Sequence, residues 1–509
     1  MHRSVRVALP LFFLCLTGVV LPAVASNPEA ESLIGMWGGG VGHTDPSAGR
    51  WSSVTVRFDE IEDGRLTGQL TGYEDKLTGR VKEGRIEFSY TQRGTKWQFE
   101  GSLDGDLLTG TCRRGKRTEP FLLVREGTPD EARLTSAAGM YTTEDGRRFA
   151  LTKSLHLILT DLHSGEVRAL YSKGRDRFTA GPALGIPRPV TWDVTLQGDG
   201  SGKIEGFEIR SADGTTVKAR RCCEGRSEPF SFETSDGLTL RGTLYLPPGE
   251  GPFPAALWVH GSGRADRRGA GTWPWILNDL GIAVLAVDKR GVGESDGRYE
   301  MPNGGHDNLP HMKRRSGDVR AGLAALAERS DIRSDRVGLI GGSQAGWVIP
   351  MAAADNPLVR FSVILSGGAT NISIEGVYSR LAREDGSGVD APTIESVLER
   401  TRAHKPRDPD FVDSFRAMHG PGLWLYGGKD RSNPSRLCIQ LLEGIRDEYD
   451  KDFTIHFFPD GNHSLMQAVY GGAGESGALV RRVPGLFDIV GSWLAEQVGD
   501  SRAEVSTPR

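Results

Sequence analysis

The hydrophobic pattern of this 509-residue chain changes near Ser227, and that change constrains the fold more than any other feature. Downstream, apolar runs without polar alternation recur at residues 255–259, 283–287, 337–340, 361–365, 423–426 and 454–458. Helix-compatible segments lie between them, among them 318–328, 437–449 and 486–497. A strand that is apolar on both sides must be covered on both sides. The alternation therefore predicts an α/β domain over residues 228–498: a mostly parallel sheet with helices packed on both faces. Residues 230–246, with Asp236-Gly237 at their turn, read as a hairpin that opens it. In such sheets ligand chemistry collects at the carboxyl ends of the strands.

Upstream the pattern differs. Residues 33–125 form a train of short strands (53–58, 66–70, 77–81, 85–90, 96–101, 107–112) separated by Asp63-Gly64, Glu83-Gly84 and Asp104-Gly105. These pairs accept the positive φ of tight hairpin turns, so neighbouring strands should pair antiparallel. Leu-Thr-Gly recurs at 66–68, 77–79 and 108–110 as a hairpin theme. A second train runs from about 138 to 222, with turns at Asp145-Gly146, Gly198-Asp199-Gly200 and Asp213-Gly214. Two antiparallel β-rich modules are expected, over 26–127 and 132–225, each a small barrel or sandwich, with the polar stretch 125–135 between them. Neither carries a catalytic-looking constellation, and His156 and His163 read as ordinary strand or loop histidines.

Charge excludes one class of partner. The 62 Lys plus Arg against 66 Asp plus Glu leave a net charge of −4, without the basic excess of a nucleic-acid binder. The short basic cluster Lys313-Arg314-Arg315 reads as a solvated loop. At the N-terminus, Arg3 and Arg6 precede an apolar run over 7–21 and the small residues Ala23-Val24-Ala25, the layout of a cleaved export signal over 1–25. That run is too short for a secure membrane span. The expectation is a secreted or periplasmic protein without a stable membrane span after cleavage, ending in a polar tail over 499–509; an uncleaved N-terminal anchor is the alternative. The mature chain keeps Cys112, Cys222, Cys223 and Cys438. Adjacent Cys222 and Cys223 would bridge each other only with strain, and pairing of one of them with Cys112 stays open. No Cys/His spacing resembles a zinc site, and no metal or organic cofactor is signalled.

Unusual residues stand at four predicted strand ends. After 337–340 come Gly341-Gly342-Ser343-Gln344-Ala345-Gly346, then a helix-compatible stretch. A serine between strand and helix, flanked by small residues, can sit on a sharp turn that projects its hydroxyl away from the sheet. Ala345 stands where a second glycine is usual, and alanine is small enough for the turn. Pro350 should kink or loosen the helix that follows. After 255–259 come His260-Gly261-Ser262-Gly263, whose glycines let backbone amides approach a ligand. The N–H groups of Ser262 and Gln344 could form an oxyanion hole, each donor contributing roughly 3–4 kcal/mol. His260 reads as support for its own turn. After 423–426 comes Gly427-Gly428-Lys429-Asp430, and after 454–458 comes Pro459-Asp460-Gly461-Asn462-His463. A serine is a poor nucleophile until a base takes its proton, and that base needs a carboxylate to fix its tautomer. Ser343, Asp430 and His463 supply the set, in a known chain order for such triads. Asp460 is the rival acid, read as shaping the histidine loop. His306, His311, His404, His419 and His456 fit the base less well.

On these motifs, together with Asp288-Lys289-Arg290-Gly291-Val292-Gly293-Glu294-Ser295, residues from about 228 to 498 resemble the α/β-hydrolase fold of serine hydrolases. The resemblance is to the esterase, dienelactone-hydrolase and prolyl-oligopeptidase-like branch. It implies that Arg290 is structural and that the insertion at about 370–420 is a cap over the site, with helical pieces at 374–383 and 392–403. Residues 298–315 read as a second mobile loop at its rim. The first 225 residues resemble β-barrel accessory modules only loosely.

The function expected is hydrolysis of a small-molecule acyl ester. Peptide, amide, thioester and lactone bonds yield to the same machinery. The resemblance favours the ester over the peptide, because peptidases of this branch carry a far larger propeller domain than the roughly 200 residues available here. A non-catalytic binding protein working through its β-modules is the alternative of another class; the intact Ser, Asp and His argue against it. Oligomeric state is left open.

Overall fold

The computed structural model describes residues 32–71, 75–92, 94–128, 130–200, 202–223, 225–300, 308–383, 391–408 and 411–499. The expected export signal and most of the polar tail lie outside the described residues, as does His306.

The first strand train closes into an eight-stranded antiparallel barrel: β1 (Gly35–Gly42), β2 (Trp51–Glu62), β3 (Arg65–Leu70), β4 (Lys76–Lys82), β5 (Arg85–Gln92), β6 (Thr95–Asp104), β7 (Leu107–Arg114) and β8 (Arg117–Glu126). Closure comes from β1, which pairs with both β2 and β8. At two hairpins, both central residues are left-handed: Asp63 (φ 48°) with Gly64 (74°), and Glu83 (52°) with Gly84 (75°). The Leu-Thr-Gly theme has a packing reason. Leu66, Leu77 and Leu108 fill the barrel core. At Gly68, Gly79 and Gly110 a Cβ would lie 2.2, 2.1 and 2.0 Å from a neighbouring strand's carbonyl oxygen. Stacked Phe88 and Phe99, 4.4 Å between centroids, complete the interior.

The stretch expected as a linker contains a helix, α1 (Glu131–Ala137). Asp130 caps it by accepting from the amides of Ala132 and Arg133, and Leu134 and Ala137 join the next core. That core belongs to a second closed barrel: β9 (Gly139–Thr142), β10 (Arg148–Lys153), β11 (Leu157–Asp161), β12 (Val167–Ser172), β13 (Arg177–Ala180), β14 (Trp192–Gly198), β15 (Ile204–Ser211) and β16 (Thr216–Cys222), with β9 pairing β10 and β16. The four cysteines among the described residues are free; Cys112 lies within the first barrel's core and Cys222 ends β16, so the pairing left open by the sequence is not formed.

The remaining strands form one sheet: β17 (Arg226–Glu233), β18 (Thr239–Leu246), β19 (Phe253–Val259), β20 (Ala283–Val287), β21 (Ile332–Gly342), β22 (Ser362–Leu365), β23 (Gly422–Gly427) and β24 (Phe453–Phe458). Their order is β17-β18-β20-β19-β21-β22-β23-β24, with β18 antiparallel to both neighbours and the others parallel. This is the α/β-hydrolase fold. Alternate residues of one strand serve opposite cores. Ala255, Leu257 and Val259 pack with α3 (Leu309–Ala327), α4 (Ala345–Ala353) and α8 (Ser435–Tyr449). Ala256 and Trp258 pack with α2 (Trp273–Asp279) and α9 (Leu486–Val498). Between β22 and β23 lie α5 (Ile372–Leu381), α6 (Ile394–Arg402) and α7 (Val412–Arg416).

Two expectations need correction here. The Lys313-Arg314-Arg315 cluster is not a loop, because α3 begins at Leu309 with Pro310 in its first turn. Lys313 and Arg314 are exposed, whereas Arg315 turns inward. Residues 308–315 of the expected rim loop are thus the start of this helix. Pro350 lies inside α4, which ends within one turn of it, with the Ala354 amide donating to the Pro350 carbonyl at 2.8 Å.

Candidate active site

Ser343 follows β21 with φ 58°, a left-handed conformation that a non-glycine residue holds only when its surroundings impose it. Those surroundings are small. A Cβ at Gly341 would lie 2.2 Å from the Val259 carbonyl oxygen and 2.8 Å from the Ala345 Cβ; one at Gly342 would lie 2.8 Å from the Leu365 oxygen. The Ala345 methyl therefore occupies space that Gly341 leaves free. Gly346 meets a different demand: a Cβ there would lie 2.4 Å from both the amide nitrogen and the carbonyl oxygen of Gly368. The Ser343 carbonyl accepts from Gly346 (2.9 Å) and Gly368 (3.1 Å), which pins the turn.

The His260–Gly263 turn passes directly over this serine. A Cβ on Gly261 would lie 3.1 Å from the Ser343 Cβ. Ser262, Ser343 and Gln344 line one cavity of about 670 Å³, with Trp347, Glu375 and Asn433 among its walls. Two basic side chains hold the turn in place. Lys289 Nζ donates to the carbonyls of Gly261 (2.5 Å) and Gly263 (2.7 Å). Arg315 donates to the His260 carbonyl (2.9 Å), to the Gly261 carbonyl (3.4 Å) and to Gln344 Oε1. Burial, aided by the neighbouring Arg315 charge, pushes the Lys289 amine down to about 6. His260 supports its turn from below, its Nε2 2.7 Å from the Val287 carbonyl oxygen, and burial pushes its imidazole down to about 4.

Asp430 and His463 come from the ends of β23 and β24 and meet: Nδ1 lies 2.8 Å from Oδ2. The other oxygen, Oδ1, accepts from the amides of Ser432 (2.7 Å) and Asn433 (2.9 Å), which aims the carboxylate. Tyr378 Oη, from α5, donates to the Asp430 carbonyl at 2.6 Å. With Nδ1 facing Asp430, Nε2 is the nitrogen left for proton transfer. Burial pulls the His463 imidazole down, but the Asp430 carboxylate, seconded by Glu375, more than offsets this and raises it above the ordinary value. Burial pushes the Glu375 carboxyl up to about 7. Asn433 and Glu375 wall the cavity that Ser343 lines; the Asn433 amide donates to Asp430, and the Glu375 carboxylate acts on the His463 imidazole through its charge.

Of the other described histidines, His404 lines the cavity that Ser343 lines, and the rest are placed elsewhere. His311 lies in α3, its imidazole pushed down to about 4, chiefly by burial. His404 is exposed, His419 faces the Val359 carbonyl, and His456 is within β24. Asp460 pairs with Lys429 Nζ at 2.8 Å. Arg290 bridges Asp236 and Asp318, a structural post. Among the described residues one group could ligate a metal: Cys222, Cys223 and Asp279, their donor atoms within 4.8 Å of one another. None of the three lines the cavity.

Lys289, Arg315, Glu375, Tyr378 and Asn433 were not singled out from sequence. Lys289 had a signal, since it sits inside the Asp288–Ser295 motif. Asn433 lies in the loop after β23, three residues past Asp430, and Arg315, Glu375 and Tyr378 reach the site from helices that carry no spacing relation to Ser343.

No family model matches the chain. Over 158 residues it is 32% identical to human dipeptidyl peptidase 8, covering 29% of this chain and 17% of that protein. Over 210 residues it is 33% identical to thiohydrolase aneE of Aspergillus aculeatus, covering 38% and 60%. The chain thus spans only part of the length of the relatives it matches. Among solved structures, an esterase of Pyrococcus furiosus matches with a TM-score of 0.38 at 16% identity, over 54% of this chain and 92% of that one. A dienelactone hydrolase of Anabaena variabilis matches with a TM-score of 0.33 at 17% identity, over 54% and 97%.

Proposed function

We propose that this chain is an exported serine hydrolase that cleaves carboxylic esters of small molecules through an acyl-enzyme. His463 Nε2 takes the Ser343 hydroxyl proton as Oγ attacks the ester carbonyl. The Ser262 and Gln344 amides stabilise the oxyanion, and Asp430 steadies the imidazolium. Collapse of the tetrahedral intermediate expels the alcohol, which takes its proton from His463. Water, activated by the same base, then releases the acid. The observation that supports this most is the left-handed Ser343 (φ 58°), seated under the Gly261–Ser262 turn at the wall of a cavity. Strain at a serine is retained where the turn serves the hydroxyl. A thioester is the second reading, favoured by the likeness to thiohydrolase aneE and to thiohydrolase apmlB of Arthrinium phaeospermum. The export segment over 1–25 supports a secreted or periplasmic site of action.

The test is a fluorophosphonate probe on the full chain, followed by a panel of p-nitrophenyl acetate, p-nitrophenyl octanoate, an acyl thioester and amino-acyl nitroanilides. Stoichiometric labelling that vanishes in Ser343→Ala is expected, with the esters turned over fastest. Labelling that survives Ser343→Ala, or is absent from the wild type, refutes the assignment. Faster thioester or anilide turnover moves the substrate class.

A further inference from the structure

The loop that carries His463 does not end in its own domain. Residues 464–485 run out across both barrels before α9 begins. The outgoing arm folds back on the histidine: Asn462 Oδ1 accepts from the amides of Ser464 (2.9 Å) and Met466 (3.1 Å). The returning arm lies against it, with the Gln467 amide on the Arg481 carbonyl and the Val483 amide on the Leu465 carbonyl, both 2.9 Å. Arg482 Nη1 reaches the Ser464 carbonyl, next to the histidine, at 2.6 Å.

The returning arm is itself held by the barrels. The Gly477 amide donates to the Trp51 carbonyl (3.1 Å) in the first barrel. From the second, the amides of Gly185, Leu184 and Val167 donate to the carbonyls of Gly477, Leu479 and Val480 at 2.8, 2.8 and 2.9 Å. The Arg482 amide donates to the Gly165 carbonyl at 2.8 Å. Buried Arg168 adds its guanidinium to the Val480 carbonyl at 2.9 Å. Trp51 ties the two barrels together at this point, donating from Nε1 to the Gly185 carbonyl at 2.5 Å. Around these bonds Trp51, Ala183, Ile186 and Ala478 form one apolar cluster, and Val167, Met466, Ala468 and Leu479 another. Space is exhausted there: a Cβ on Gly477 would lie 2.3 Å from Trp51 Cδ1 and 2.6 Å from Ser53 Oγ.

We propose that the two barrels are positioning elements for the base: they clamp residues 477–482, which through 464–467 fix His463 against Asp430. This rests on the assignment of His463 above. Trp51, Arg168, Gly185 and Gly477 are the positioning residues. The barrels contribute nothing to the cavity wall, whose described lining residues run from Ser262 to Asn433. Loosening the clamp therefore changes the reactivity of the base and leaves ground-state binding of the substrate alone.

The test compares full-length wild type with Gly477→Val, Trp51→Ala, Trp51→Phe and Phe88→Leu. The last perturbs the first barrel's core away from the clamp. Gly477→Val and Trp51→Ala should lower kcat for p-nitrophenyl acetate roughly 10- to 100-fold, the scale of a slightly misplaced catalytic group, with KM unchanged. Their acid limb should move down toward the ordinary histidine value as the Asp430 contact loosens. Hydrogen exchange of the 464–468 amides should speed up in both, and Trp51→Phe, which keeps the ring packing but loses the Nε1 bond to Gly185, should fall between Trp51→Ala and wild type. Phe88→Leu should lower Tm without these effects. Wild-type kcat, pH profile and exchange in Gly477→Val and Trp51→Ala would overturn the clamp. So would an equal loss of rate in Phe88→Leu at an equal drop in Tm. A wild type that neither hydrolyses esters nor takes the fluorophosphonate would instead overturn the hydrolase assignment, and the exchange result would still decide whether the barrels hold the loop.

Discussion

Replacing Lys289 by methionine isolates the part of the oxyanion turn that the sequence motif does not contain. Met keeps most of the apolar stem and removes the amine that bonds the carbonyls of Gly261 and Gly263. Stability should change little at neutral pH, because two effects oppose. In the folded chain the amine has its pKa near 6, against 10.5 when exposed. Keeping it neutral at about pH 7.5, about 3 units below its unfolded value, costs ~4 kcal/mol at ~1.4 kcal/mol per unit. Losing it leaves two buried carbonyls unpaired, at ~1–3 kcal/mol each. The sign follows from the shift: folded pKa below unfolded means the wild type is most stable above the unfolded value and loses stability as pH falls toward 6. The methionine variant lacks this slope. Denaturant titrations from about pH 6 to about pH 9 should therefore show the variant gaining on the wild type as pH falls. Activity should respond differently. Ser262 lies between the two released carbonyls, so its amide loses its aim. Deleting an oxyanion donor outright costs about 10²–10³ in kcat, and a tilted one should cost about 10- to 100-fold. Pre-steady-state acylation by p-nitrophenyl acetate, normalised to fluorophosphonate-titrated sites, reads this directly. A wild-type acylation rate in a folded Lys289→Met protein would refute the reasoning.

Three further outcomes follow from the geometry. Asp430→Asn should lower kcat by about 10⁴, because the amide cannot hold the Nδ1–H tautomer, while fluorophosphonate labelling slows without vanishing; a loss under tenfold, measured on the same ester, would count against the pair. The kcat/KM profile should rise with pH through the raised pKa of His463, since only the neutral imidazole accepts the serine proton; Glu375→Gln should move that midpoint down, because the Glu375 carboxylate favours the protonated ring. A midpoint that moves up, read from the pH–rate curve, would contradict the placement of Glu375. Iodoacetamide mapped by mass spectrometry should modify Cys222 first, its thiol lowered to about 7 chiefly by its hydrogen bond with Cys223, and leave Cys112 and Cys438, pushed up to about 12 and about 11 by burial.

The sequence spoke most clearly where one physical rule governs a whole segment. Apolar runs such as 255–259 could only be strands covered on both faces, and alternate side chains of that strand do enter opposite cores. Asp63-Gly64 and Glu83-Gly84 announced hairpins because few other pairs accept two consecutive positive φ values. Barrel closure was less legible, since it depends on β1 meeting β8 across most of the module, and no local pattern encodes that pairing. The inward turn of Arg315 is hidden in the sequence for a related reason. Three consecutive basic residues look solvated in one dimension. On α3 they point in three directions about 100° apart, and one of the three faces the sheet.

Ala345 shows how far a motif can depart from its usual form before its chemistry fails. The position asks for a small side chain because the turn brings it against β21. The structure meets that demand from the opposite side: Gly341 gives up its Cβ, and the Ala345 methyl occupies the space released. The two positions are therefore neighbours in space, but a glycine at 345 would leave the Val259 carbonyl constraint on 341 in place. Gly346 is not a displaced copy of the missing glycine. It serves the separate approach of α4 to Gly368, whose amide also holds the Ser343 carbonyl. What the fold preserves is close packing on both sides of Ser343, and which residue supplies each vacancy is secondary. The same reasoning ranks the possible substitutions. Gly341→Ala would press a Cβ onto the Val259 carbonyl, which is backbone and cannot yield, and should damage the elbow more than Ala345→Gly.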